Sequence, residues 1–156
     1  MTQTTENDKT TVNQNISLED YISDHQQRWS DIISSLNNKM KRFADLPELQ
    51  NEVYAKRQDA LDYYHNLLSK ISNVSKTYKQ QYAELYNRYK TMSQIRYSSE
   101  AALNAQITSD LRDLIYNIEL LQNHSKYMLE TIKTIDSIIY GITNRIRIEE
   151  LIRNVN

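Results

Sequence analysis

The chain has 156 residues, a formal charge of −1, one glycine, one proline and no cysteine. So few turn residues exclude sheet-rich and loop-rich folds, and one glycine cannot build a phosphate-cradling loop, a dinucleotide fingerprint or a nucleophile elbow. Without cysteine there is no disulfide framework or zinc–thiolate site, and the near-neutral total gives no global nucleic-acid signature.

The apolar share, 39%, suits a coiled coil better than a globule. Tyrosine stands out, with 12 against one Phe and one Trp. The expected class is all-α: long amphipathic helices in a coiled-coil-like hairpin that self-associates, because such helices must cover their apolar stripe.

Residues 1–16 are rich in Thr, Asn and Gln and read as a disordered tail. Residues 17–156 then read as one elongated helical domain. Ser17 has the chemistry of an N-cap, with Glu19 and Asp20 in the first turn where the helix dipole favours acids. The first helix, about 17–44, carries Leu18, Ile22, His25, Trp29, Ile32, Leu36, Lys39 and Phe43 in alternating four–three spacing. Asp45-Leu46-Pro47-Glu48 resembles a capping box with proline in the first turn. The heptad phase runs through this break unchanged, which favours a kink over a reversal.

The second helix, about 46–97, has a seam that includes Leu46, Val53, Ala60, Tyr64, Leu67, Ile71, Val74, Tyr78, Leu85 and Met92. Gln81 and Arg88 fall at positions of this seam that should be apolar. Ser98-Ser99-Glu100 reads as a stop and restart. The third helix, about 101–153, has the cleanest spacing and is out of phase with the second. Its Ile118, Leu121, Met128, Ile132, Ile135, Ile139 and Ile142 are the expected self-association seam. Isoleucine at both core positions favours higher-order packing over a parallel dimer. Gly141 costs about 1 kcal/mol against Ala within a helix and marks a close contact or a local break.

No catalytic arrangement is legible. His25, His65 and His124 lie on separate helical stretches, and no enzyme activity, cofactor or metal is expected. No stretch is long and apolar enough to cross a membrane, and the opening residues lack a signal-peptide pattern.

Residues 65–99 differ from the rest. Lys70, Lys76, Lys79, Arg88, Lys90 and Arg96 stand there against Glu84 alone. Tyr82, Tyr86 and Tyr89 form one stripe at i, i+4, i+7. Cations that follow a phosphate backbone beside rings that stack bases are the general means of holding a single strand. The candidate nucleic-acid-binding residues are Lys76, Lys79, Tyr82, Tyr86, Arg88, Tyr89, Lys90 and Arg96. The competing reading is a packed tyrosine face with its hydroxyls at the rim and a solvated basic side.

The run Tyr63-Tyr64-His65-Asn66-Leu67-Leu68 is followed by Tyr82-Ala83-Glu84-Leu85-Tyr86-Asn87-Arg88-Tyr89-Lys90. Ser109-Asp110-Leu111-Arg112-Asp113-Leu114 and Tyr127-Met128-Leu129-Glu130-Thr131-Ile132 come next. Over about residues 60–146 this order resembles the UvsY-like recombination mediators of tailed phages. Two places depart from the family pattern: the Arg before Gly141 is missing, and Thr91-Met92-Ser93 stands where the family has Tyr-Tyr and Gly. The resemblance implies a non-enzymatic, ring-like helical homo-oligomer in the host cytoplasm. It would bind single-stranded DNA and help a RecA-like recombinase replace a single-strand-binding protein. The alternative is a structural coiled-coil protein of a virion or scaffold.

Overall fold

The computed structural model describes residues 16–42, 46–92 and 97–155. These form four helices: α1 (Leu18–Lys39), α2 (Leu46–Thr91), α3 (Glu100–Asp110) and α4 (Arg112–Val155). The all-α expectation holds for the described residues. The tail assigned to 1–16 lies outside them apart from Ile16, as do Phe43, Asp45 and Arg96.

Ser17 caps α1 as its sequence context requires. Its backbone is extended, and its Oγ accepts the Asp20 N–H at 3.0 Å. Ser99 does the same for α3, accepting the Ala102 N–H at 3.2 Å. The expected third helix is divided: Leu111, at φ −96° and ψ 10°, separates α3 from α4.

Between α1 and α2 the chain reverses; the unbroken heptad phase leans toward a kink but does not decide between the two. Lys39 Nζ lies 2.7 Å from Glu52 Oε1, and the His25 ring stacks on Tyr63 with centroids 3.8 Å apart. One end of α1 therefore meets the start of α2, and the other end meets its middle. A heptad phase records which side turns inward, and an antiparallel return preserves it as well as a straight run does.

α4 runs antiparallel to α2, joined by Arg57 Nε–Asp136 Oδ1 at 2.5 Å and Gln50 Nε2–Thr143 Oγ1 at 3.3 Å. It runs parallel to α1, where the Tyr116 hydroxyl donates to Glu19 at 2.6 Å and the Tyr127 hydroxyl to the Gln26 carbonyl at 2.8 Å. Near the other end Arg145 donates to the Met40 carbonyl. A methyl added at Gly141 would stand 3.0 Å from the Met40 methyl, the close contact that the sequence position implied.

The main core is a three-helix layer. Trp29 and Leu36 of α1, Leu49, Val53, Ala60 and Leu67 of α2, and Met128, Ile135 and Ile142 of α4 close it. Each large aliphatic so buried contributes about 1.5–3 kcal/mol. Leu121, Met128, Ile132, Ile135 and Ile142, expected to meet a second copy, are buried inside the single chain, while Ile118 and Ile139 are half-buried. Two helices of the same chain supply the higher-order surroundings that this isoleucine pattern demands. Beyond the start of α1 only the far half of α2, α3 and the start of α4 remain. They form a narrower arm with its own small core of Leu103, Ile107 and Leu111.

Candidate nucleic-acid interface

The arm contains the basic, tyrosine-rich window. Tyr78, Tyr82, Leu85, Tyr86, Tyr89 and Tyr97 pack against Leu103, Ile107, Leu111 and Ile115. Three of the hydroxyls bond to α3: Tyr82 donates to Asn104 Oδ1 at 2.8 Å, Tyr86 to Glu100 Oε1 at 2.6 Å, and Tyr89 to Asp110. Tyr78–Tyr82 and Tyr89–Tyr97 are tilted ring pairs with centroids 6.0 and 5.8 Å apart. Of the two readings of Tyr82, Tyr86 and Tyr89, this is the packed face with its hydroxyls at the rim, covered by α3. An i, i+4, i+7 stripe of rings is an inward face as soon as another helix returns over it, and α3 does so. The hydrogen bond to Asp110 holds the Tyr89 hydroxyl above its ordinary pKa, with burial adding to the effect.

The cations remain outside. Lys76, Lys79, Arg88 and Lys90 are exposed. Among the described residues Lys76, Lys79 and Arg88 make no salt bridge. Lys90 lies over the Tyr86 ring, 4.9 Å from its centroid, and donates to the Tyr86 hydroxyl at 2.8 Å. That bond, and then the charge on Glu100, raise its pKa. Arg88 is not a core residue: Leu85 and Tyr89 take the inward positions on either side of it, so the polar break in the seam vanishes. At 3.6 residues per turn Lys76, Lys79 and Lys90 share one flank of α2, and Arg88 faces the opposite one. Lys79 borders a groove of about 370 Å³ formed with Tyr78 of α2 and with Ile115, Ile118 and Glu119 of α4. Arg96 falls outside the described residues. α3 brings Glu100 and Asp110 to the same arm, where they offset part of the positive charge of the sequence window, while Asp113 of α4 is paired with Arg112 at 3.5 Å.

A second polar cluster went unseen in the sequence. His124 of α4 is 1% exposed, and its Nε2 lies 3.0 Å from the Tyr63 hydroxyl. Gln26 Nε2 approaches its Nδ1 at 3.5 Å, and the His25 ring meets it edge-on with centroids 5.2 Å apart. Burial, then the neighbouring His25, lowers the His124 pKa to about 4. Burial also lowers that of His25, helped by Arg28 and Lys70 and opposed by Asp24. The His25 Nδ1 is buried without a hydrogen-bond partner in the described structure. Tyr63 is raised, first by burial and then by Tyr21.

The only sequence signal for this pair was His25 in the seam of α1. Because α4 serves two neighbours, its inward face is wide enough to include both His124 and Met128. Beside this cluster an open cavity of about 630 Å³ lies where α1 begins, floored by Ile22, Leu67 and Leu121. Among the described residues no three His, Asp or Glu side chains gather as a metal site. No helix there is long and apolar enough to cross a membrane. No family model, curated protein or solved structure matches the chain.

Proposed function

We propose that this protein is a non-enzymatic, single-stranded-DNA-binding recombination mediator. It acts as a homo-oligomer in the cytoplasm of a phage-infected host and helps load a RecA-like recombinase in place of a single-strand-binding protein. The observation that carries the reading is the set of exposed cations along one half of α2, with Lys76, Lys79 and Arg88 outside any salt bridge among the described residues. Spaced cations on a rigid rod suit a phosphate backbone, and each phosphate contact to a single strand steepens the salt dependence by about 0.7 in log K against log salt. The resemblance of residues 60–146 to UvsY-like mediators supports the same reading. The recombinase and the single-strand-binding protein rest on that resemblance alone.

Fluorescence anisotropy of a labelled oligothymidylate, with a duplex control and a salt series, tests it. Salt-sensitive binding that prefers the single strand supports the proposal. No binding at low salt by folded protein refutes it.

One observation favours a second reading, a structural assembly protein. Ile148 and Leu151, close to the end of α4, are 55 and 59% exposed. A seam so open suits a covering helix. Sedimentation measurements over a concentration series test it, and Leu151→Glu should then dissociate the assembly.

A further inference from the structure

We propose that α3 is a built-in cover on the nucleic-acid face, and that a single strand binds there by lifting α3 and taking its place on the tyrosines. The inference rests on the single-strand reading of this arm and assigns that site its regulation.

α3 resembles a single strand in the chemistry it offers α2. α3 gives the α2 face apolar side chains against the flat rings, through Leu103 and Ile107. It gives carboxylates to the ring edges, Glu100 to Tyr86 and Asp110 to Tyr89. A single strand offers the same two things, base faces for stacking and anionic oxygens for hydroxyls and cations. Lys90 donates to the Tyr86 hydroxyl within α2, and that hydroxyl in turn donates to Glu100 of α3. Lifting α3 frees the rings and opens the Tyr86 hydroxyl, with Lys90 already beside it, to a phosphate.

α3 is also short, at 11 residues, and is preceded by a bend at Ser98–Ser99. The single residue Leu111 sets it off from α4, with the N–H of Leu111 still bonded to the Ile107 carbonyl, so the junction is a hinge rather than a gap. The other face of α3, at Ala101, Ala105, Gln106 and Ser109, is exposed, so no third helix holds it down. The main core lies elsewhere, at Trp29, Leu67 and Met128, and does not depend on α3. Local opening of such an element is far easier than global unfolding.

Two measurements on the full chain test the cover. The first compares oligothymidylate affinity of Glu100→Gln/Asp110→Asn with that of Glu84→Gln/Asp113→Asn. Both double variants remove the same charge from the arm, but only the first touches the tyrosine hydroxyls. Replacing two charge-assisted bonds by neutral ones should tighten binding about tenfold, against less than about threefold in the control. The second follows amide hydrogen exchange over 100–110 with and without oligothymidylate. Exchange there should speed up on binding while residues 128–142 stay protected. Equal affinities in the two variants, or an α3 that stays protected with the strand bound, overturns the cover and leaves the binding proposal standing. A lack of binding by wild type and both variants overturns the binding proposal and the cover with it.

Discussion

Acidification from pH 7.5 to 5 should destabilise the fold by about 2 kcal/mol through His124 alone. The ring is almost wholly enclosed, between Tyr63 and Gln26 on its two nitrogens and His25 on its edge. A second proton would place a charge on this enclosed ring beside His25. The pKa is accordingly held at about 4, against about 6.5 in an unfolded chain. The folded value is the lower one, so the unfolded chain takes up the proton first. Stability is complete above about pH 6.5 and falls with pH until the folded ring titrates near 4. The full loss is about 3 kcal/mol, of which about 2 kcal/mol is reached by pH 5. His25 is lowered as well and acts in the same direction. Urea unfolding followed by circular dichroism at the two pH values measures the loss. His124→Gln keeps a polar side chain between Tyr63 and Gln26 but cannot take the charge, so it should be weaker at pH 7.5 and lose most of its pH dependence. Equal wild-type stability at both values, or an unchanged pH dependence in His124→Gln, would refute the reasoning.

Neutralising Lys76, Lys79 and Lys90, which share one flank of α2, should together lower the salt dependence of oligothymidylate binding by about 2 in log K against log salt, at about 0.7 per cation; an anisotropy series in salt checks it. Ile135→Ala should cost about 2–4 kcal/mol in urea unfolding, because Ile135 is fully buried. Leu151→Ala, at a site 59% exposed, should cost under about 0.5 kcal/mol. Gly141→Ala should raise the thermal midpoint: the gain in helix propensity is about 1 kcal/mol, and the only side chain in the way is the flexible end of Met40. A lowered midpoint would show that Met40 cannot move aside.

Local chemistry made some of this structure legible in the sequence. Ser17 and Ser99 cap because their side chains and the following acids decide the matter within one turn. The break before residue 100 followed from a lost phase, and the closeness at Gly141 from the oddity of glycine inside a helix. What escaped detection was the identity of the neighbour on each face. The inward stripe of α4 was plain, but it meets α1 and α2 of its own chain. Tyr82, Tyr86 and Tyr89 looked alike whether free or covered, because their cover begins at Glu100 and no periodicity joins the two segments. His25 and His124 come together only after two chain reversals. Arg88 was misplaced because the stripe drifts around a long helix, and over the arm Leu85 and Tyr89 carry it past that position.

The parallel pairing of α1 with α4 sets a hazard during synthesis. α1 and α2 leave the ribosome first, with Leu36, Leu49, Val53 and Leu67 ready to pack, but the Met128, Ile135 and Ile142 that complete their layer come from the last third of the chain. At about 5–20 residues per second, these partners arrive on the order of ten seconds later. Through that interval the nascent hairpin carries an open apolar strip, and chaperone capture or pairing between neighbouring nascent chains competes with the arrival of α4.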